Sequence, residues 1–112
     1  MKNEFGAVLD SNGYAPSIIP DHSENRCFIC DRGTACARHE IYHSHYGANR
    51  DKAKALGLWV YLCPDCHYAL HNYGDSDRTL KEIGQSEARR RYGWDANKFR
   101  QEFGKNYLKE EE

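Results

Sequence analysis

Residues 58–71 read LWVYLCPDCHYALH and contain the clearest structural signals in the chain. The apolar run 58–62 predicts a β-strand, because aromatic and β-branched residues favour a half-buried pleated surface. A thiol pair follows at once, and Asp65 is a candidate N-cap for a helix that starts at this turn. His67 and His71 then lie four residues apart on that helix, so their imidazoles point from one face toward a common spot.

A second thiol pair lies upstream, in residues 26–34, where the pattern predicts a tight turn. Cys27 and Cys30 are separated from Cys63 and Cys66 by 32 residues. Two such pairs supply the four thiolates of a tetrahedral structural Zn²⁺ site, and the long interval indicates an insertion between the two turns. Redox activity and four unrelated buried thiols are the alternatives. The fifth thiol, Cys36, is interpreted as a small buried residue, with a ligand or sensor role as the alternative.

The composition indicates one small polar domain. The chain has 112 residues, of which 29% are charged, and its mean hydropathy is −0.93. Residues 1–25 are expected to form an irregular N-terminal arm, residues 26–108 the zinc-bound domain, and residues 109–112 an acidic tail. With no apolar run long enough for a membrane helix and no secretion-signal pattern, we expect a soluble cytoplasmic protein.

The formal net charge of −1 conceals an uneven distribution of charge along the chain. The residues from Arg26 to Lys109 include 15 basic and 10 acidic side chains, whereas the two ends are acidic. A moderately basic body is compatible with a polyanionic partner, although solvated surface charge explains the pattern equally well.

The remaining elements are predicted from periodicity and capping residues. A short strand is expected within 35–42, a loop at 43–50, and a short helix at 51–56 that Gly57 stops. A longer helix is expected over 76–92, where Gly84 weakens the prediction by about 1 kcal/mol relative to alanine. A last helix starts at Asp95, buries Phe99 and Phe103, and ends at Gly104.

A second cluster of ligand-type side chains is expected beside the thiols. His39 lies on the predicted strand after the first thiol pair. If a zinc ion clamps the two segments together, His39 can meet His67 and His71 and form an open three-ligand metal site. Such a site leaves coordination positions for water or phosphate, as hydrolysis requires.

The chain resembles the HNH nucleases of the ββα-metal fold, and in particular small phage- and prophage-associated members with two Cys-x-x-Cys zinc knuckles. The resemblance covers about residues 26–107. It rests on the thiol pairs together with three motifs: Arg38-His39-Glu40-Ile41-Tyr42, Gly47-Ala48-Asn49-Arg50, and Tyr61-Leu62-Cys63-Pro64-Asp65-Cys66-His67 followed by His71. It implies an α+β fold with a small zinc-stabilised ββα-metal (HNH, His-Me finger) core and additional C-terminal helices.

The resemblance also implies roles for single residues. His39 matches the metal-ligand position of the strand, and His67 and His71 match the metal-binding histidines of the helix. Asn49 matches the asparagine that orients the general base. Glu40 stands where the family has a histidine base. This departure matters because a solvated carboxylate has a pKa of about 4.3 and is a poor base near pH 7.

Three solutions to the missing histidine base stay open. Glu40 can be desolvated and still accept a proton from water, or His43 or His45 can reach the site from the loop. Alternatively, His39 is the base and Glu40 the ligand.

The function implied by the resemblance is metal-dependent hydrolysis of phosphodiester bonds in DNA by a second divalent ion, Mg²⁺, Mn²⁺, Ni²⁺ or Zn²⁺. Arg38 and Arg50 are candidates for binding phosphate, with an ion pair to Glu40 or Asp51 as the alternative. DNA is the expected partner, a phage protein is a further possible one, and no membrane is expected. The alternative is an inactive zinc-stabilised module that binds nucleic acid or protein.

Overall fold

A hairpin and the helix that follows it form the centre of the fold. The computed structural model describes residues 1–20, 25–33, 35–43 and 48–108. Strand β1 (Ala37–Glu40) pairs antiparallel with β2 (Trp59–Leu62), with His39 opposite Val60 and Glu40 opposite Trp59. Helix α1 (Ala48–Leu56) connects the two strands, and α2 (Pro64–Tyr73), α3 (Asp77–Tyr92) and α4 (Ala96–Phe103) follow. The prediction of a small α+β fold is confirmed at this level.

Helix α2 begins at the second thiol pair, as predicted, but its capping residue differs. The N-cap is Cys63, whose sulfur accepts the backbone N–H of Cys66, and Pro64 occupies the first turn. Proline suits this position because its missing N–H would have no partner there. The assignment of Asp65 as the cap is therefore wrong, because Asp65 already lies inside the helix and forms an exposed ion pair with Arg32 at 2.7 Å.

Helix α1 is longer than the sequence indicated. It begins at Ala48, so Asn49 and Arg50 belong to a helix instead of the expected loop. Gly57 ends it as predicted, with a φ of +75°. A Cβ at Gly57 would lie 2.3 Å from the carbonyl oxygen of Pro16, so only glycine allows residues 1–20 to approach this closely.

Residues 1–20 form no regular helix or strand beyond an isolated bridge between Lys2 and Val8. They nevertheless contribute to the core, since Ala15 and Ile18 are buried. The indole of Trp59 donates to the carbonyl of Ala15 at 2.8 Å. This segment therefore covers the outer side of β2, while the proposed domain boundary at residue 25 stays a prediction.

A second part of the core, around the buried Tyr42 that follows β1, is aromatic. The ring of Tyr42 lies 5.1 Å from that of Phe99 and 4.6 Å from that of Phe103, and its hydroxyl donates to the carbonyl of Lys81 at 2.6 Å. Helix α4 carries both phenylalanines and has the predicted caps: the Asp95 carboxylate accepts the N–H of Lys98, and a glycine follows the last turn. Among the described residues, no helix has the length and apolar character needed to cross a membrane.

We expect Gly84→Ala to destabilise the protein even though it lies within a helix. A Cβ at this position would lie 2.5 Å from the hydroxyl oxygen of the buried Tyr42, whose ring has no room to retreat. Overpacking costs about 1–3 kcal/mol, more than the roughly 1 kcal/mol that alanine gains over glycine in a helix. Urea denaturation should show a lower free energy of unfolding than the wild type.

The exposed Ser86→Ala on the same helix is the control, and it should leave stability unchanged or raise it by a few tenths of a kcal/mol. A Gly84→Ala protein more stable than the wild type would contradict the close packing of α3 on Tyr42.

Candidate functional site

Four cysteines converge at the junction of β2 and α2. Their sulfur atoms lie within 4.8 Å of one another, and those of Cys30 and Cys63 are 3.7 Å apart. The N–H of Phe28 donates to the carbonyl of Tyr61 at 2.9 Å, so the first thiol pair is tied to β2 by the backbone. The predicted grouping of Cys27, Cys30, Cys63 and Cys66 is confirmed.

The donor set fits a structural metal such as zinc. Zinc–sulfur bonds of about 2.3 Å in a tetrahedron place sulfurs about 3.8 Å apart, close to the separation of Cys30 and Cys63. Each thiol pair contains the same hydrogen bond. The backbone N–H of Cys30 donates to the sulfur of Cys27, and that of Cys66 donates to the sulfur of Cys63, both at 3.5 Å. Burial raises the pKa of Cys27, but backbone N–H groups, first that of Cys30, outweigh it and lower the pKa to about 6. The thiolate needed for metal binding is thereby favoured at Cys27, whereas burial and the neighbouring thiols raise the pKa of Cys66, which would lose its proton on binding the metal.

Cys36 is not a member of this group. Its thiol donates to the carbonyl of Arg32 at 3.3 Å, and the residue is only half-buried. The expectation of a buried thiol is therefore met in part.

Three histidines meet next to the thiol cluster. His39 projects from β1, and His67 and His71 project from α2, with one nitrogen of each within 4.8 Å of the others. Ring centroids are 5.1 Å apart for His39 and His67 and 4.8 Å for His67 and His71. The helical spacing read from the sequence thus places both helix imidazoles against the strand histidine. These three residues could hold a metal ion.

Two of these histidines, His39 and His67, are favoured in the neutral form that binds metals. Burial and then the neighbouring imidazoles, first that of His67, together lower the pKa of His39 to about 3. Burial also lowers the pKa of His67, as does the nearby His71. Within the part of the chain that the structure describes, the Nε2 atom of His39 is buried without a hydrogen-bond partner.

His43 and Asp77 adjoin the same cluster. The Nε2 atom of His43 lies 3.4 Å from Oδ1 of Asp77, and both residues offer a ligand atom within 4.8 Å of one from His39. Burial lowers the pKa of His43, and the nearby Lys81 lowers it further. His43 was expected as a possible base, whereas the sequence analysis missed Asp77. An aspartate at the first position of a helix ordinarily indicates only a favourable interaction with the helix dipole.

Glu40 is held by two partners. Its carboxylate accepts a short hydrogen bond from the Tyr14 hydroxyl and lies 3.3 Å from Nε of Arg50, and only 14% of its side chain is exposed. Burial raises the pKa of Tyr14, and the adjacent carboxylate raises it further, so the hydroxyl remains a donor. The ion pair between Arg50 and Glu40 is one of the alternatives that the sequence offered. Tyr14 was missed, because it lies in an irregular segment with no motif.

Arg38 and Asn49 are engaged elsewhere. Arg38 pairs with Asp10 at 2.7 Å and stacks on the ring of Tyr14 at 4.4 Å, so its partner is not one that the sequence suggested. The Asn49 amide donates to the carbonyl of Phe103 at 3.2 Å, which ties α1 to the end of α4. Its role in orienting a base stays a prediction, and His45 lies outside the described residues.

The histidine cluster, Glu40 and two arginines line one cleft. Its volume is about 280 Å³. It is lined by Arg38, His39, Glu40, His43, Arg50, His67 and His71. Neutral imidazoles, a carboxylate and guanidinium groups therefore face a common space, an arrangement suited to an anionic ligand and a cation together.

No family model, curated protein sequence or solved structure matches this chain. The resemblance to HNH nucleases therefore depends on the motifs and their spacing.

We expect Cys63→Ser to lose bound zinc and to unfold the domain at ambient temperature. Its sulfur is buried at the junction of β2 and α2, and a structural zinc ion contributes on the order of 10 kcal/mol to folding. Metal analysis should show one tightly bound zinc ion fewer, and circular dichroism should show loss of the cooperative transition.

The matched control is Cys36→Ser, which also removes one thiol but lies outside the cluster, and it should keep the zinc and the transition. A Cys63→Ser protein with full zinc content and wild-type stability would contradict the assignment of the four-sulfur site.

Proposed function

We propose that this chain is a metal-dependent endonuclease of the HNH type that hydrolyses phosphodiester bonds in DNA. The observation that supports it most directly is the convergence of His39, His67 and His71 on one point of a cleft. Three imidazole nitrogen ligands with an open side are typical of catalytic rather than structural metal sites.

The order of elements also supports the proposal. A strand carries the first histidine, a second strand pairs with it, and a helix that begins at a thiol pair carries the other two. This is the order of the ββα-metal core implied by the resemblance. The sulfur site joins the parts, because Cys63 directly follows β2 and is the N-cap of α2.

A divalent cation in such a site, when bound, neutralises charge on a phosphodiester and stabilises the departing oxygen. His39, His67 and His71 are the residues that would hold it. Arg50 lines the cleft with half of its side chain exposed, so its guanidinium can bind a phosphate oxygen while Nε remains against Glu40. Arg38 is a weaker candidate for this role, since Asp10 already neutralises its charge.

Glu40 is the residue that we assign to accept the proton of the attacking water, because only 14% of its side chain is exposed and it is therefore not the solvated carboxylate that makes a poor base. It lines the same cleft as the three histidines, and Tyr14 and Arg50 fix the position of its carboxylate. A positioned base typically contributes 10²- to 10⁴-fold to the rate. Because Arg50 contacts both this carboxylate and the cleft, it can couple phosphate binding to the orientation of the base.

We expect His67→Gln to abolish nicking of supercoiled plasmid DNA in the presence of Mn²⁺, Mg²⁺ or Ni²⁺ while the fold is retained. The substitution removes one of three nitrogen ligands without touching the sulfur site. Gel electrophoresis of the plasmid measures the nicking rate, and circular dichroism measures the fold.

Asn72→Ala is the control on the same helix, where the side chain is exposed and donates to the backbone carbonyl of Tyr68, and it should nick at the wild-type rate. Equal nicking by His67→Gln and the wild type would remove the catalytic assignment. Zinc-bound protein that binds DNA but does not nick it with any of these ions would favour the non-catalytic binding module.

We expect Glu40→Gln to reduce the nicking rate by about 10²-fold or more, because the amide cannot accept a proton from water. Tyr14→Phe keeps the carboxylate and removes only one of its partners, so its rate should fall less, by about tenfold at most. The comparison is made by single-turnover nicking at saturating metal. Wild-type rates for Glu40→Gln would reject Glu40 as the base and leave His43 as the next residue to test.

A further inference from the structure

Three buried polar atoms face one another beside the proposed catalytic cluster. Among the described residues, Nε2 of His39, Nε2 of His43 and Oδ1 of Asp77 are inaccessible to solvent and have no hydrogen-bond partner. Such orphaned atoms are rare, because each costs about 1–3 kcal/mol when it is buried without a partner. Only 3% of the surface of His39 is exposed, so bulk solvent does not supply the missing hydrogen bond. The three residues offer ligand atoms within 4.8 Å of one another.

A simple ion pair between His43 and Asp77 does not account for this arrangement. The two atoms are 3.4 Å apart and do not meet the geometry of a hydrogen bond. The pair would also leave Nε2 of His39 without a partner.

The second oxygen of Asp77 is already fixed. Lys81, one turn along α3, lies 2.9 Å from Oδ2, and only 16% of its side chain is exposed. Burial raises the pKa of Asp77, but the bond from Lys81 outweighs it, so the carboxylate is ionised. Lys81 thus orients the Asp77 carboxylate and leaves Oδ1 as a negatively charged ligand atom. Groups around a metal site commonly orient its ligands in this way.

We propose that His39, His43 and Asp77 form a cation site of their own that does not require His67 or His71. Two neutral imidazoles and one carboxylate suit a borderline transition metal such as Co²⁺, Ni²⁺ or Zn²⁺ better than Mg²⁺ or Ca²⁺, which prefer oxygen ligands. One ion would satisfy all three orphaned atoms at once. The site shares His39 with the proposed nuclease centre, but its existence does not depend on DNA cleavage.

The two ligand sets differ in their access to solvent. His71 is exposed and His67 half-buried, whereas the side chains of His43 and Asp77 are only about a quarter exposed. An ion in the inner site would tie the segment after β1 to the first turn of α3, two parts of the chain that residues 44–76 separate. A cation bound only by the folded state stabilises that state in proportion to its occupancy.

The test is a titration with cobalt chloride of the full chain with zinc in the sulfur site. Cobalt binds such sites more weakly than zinc, so it leaves the thiolates occupied, and its visible absorption reports nitrogen and oxygen ligands. The variant His67→Gln/His71→Gln should still bind one equivalent of Co²⁺. Adding Asp77→Asn to it should weaken binding by at least 10- to 100-fold, whereas adding the exposed Asp75→Asn should not.

Loss of cobalt binding in His67→Gln/His71→Gln would overturn the proposal, and so would binding that Asp77→Asn leaves unchanged. If the double variant does not fold, crystals of the wild type grown with cobalt chloride decide the question: an anomalous peak about 2.1 Å from both Nε2 of His43 and Oδ1 of Asp77 supports the site, and the absence of a peak there rejects it. Plasmid nicking is scored separately. Cobalt binding without nicking would reject the nuclease alone, and nicking without this site would reject the inner site alone.

Discussion

The junction of the turn 27–30, β2 and α2 is the constraint on which the arrangement of the cleft depends. Cys63 directly follows the strand, caps the helix and contributes a sulfur to the cluster, so the direction of α2 is set by the same residue that faces Cys30. Because α2 starts there, His67 and His71 emerge one and two turns later on the side of β1. A metal held by the four sulfurs would therefore orient the histidines without contacting them.

The second feature is the burial of polar atoms around His39. Among the described residues, Nε2 of His39 is buried without a hydrogen-bond partner, which costs a chain of 112 residues a substantial part of its stability. His43 and Asp77, which lie beside His39 in the described part of the chain, each have an unpartnered buried atom as well. A folded protein retains such a group where something compensates it. A divalent cation compensates a neutral imidazole and a carboxylate together, which a misaligned ion pair does not. The unpartnered Nε2 of His39 supports both proposed ligand sets, because His39 belongs to each of them.

The sequence predicted the parts of the site that follow from local spacing. The two thiol pairs, the strand before the second pair and the histidines of α2 are each fixed by neighbours within a few residues, and the caps of α4 at Asp95 and Gly104 were likewise predicted. Long-range contacts were not predictable. Tyr14 reaches Glu40 across 26 residues, and Asp77 meets the cluster only because α3 packs back on the hairpin. The glycine in α3 weakened the helix prediction, yet its missing side chain is what allows α3 to approach the buried tyrosine after β1.

The claim on which the function depends is that the histidines bind a cation. Crystals of the protein grown with Zn²⁺ or Ni²⁺ and measured at the corresponding absorption edge test it directly. We expect one anomalous peak at the centre of the four sulfurs and a second peak about 2.0–2.1 Å from a nitrogen of His39, with further histidine ligands around it. A single peak at the sulfurs, with the imidazoles turned away from one another and no peak beside His39, would contradict the account.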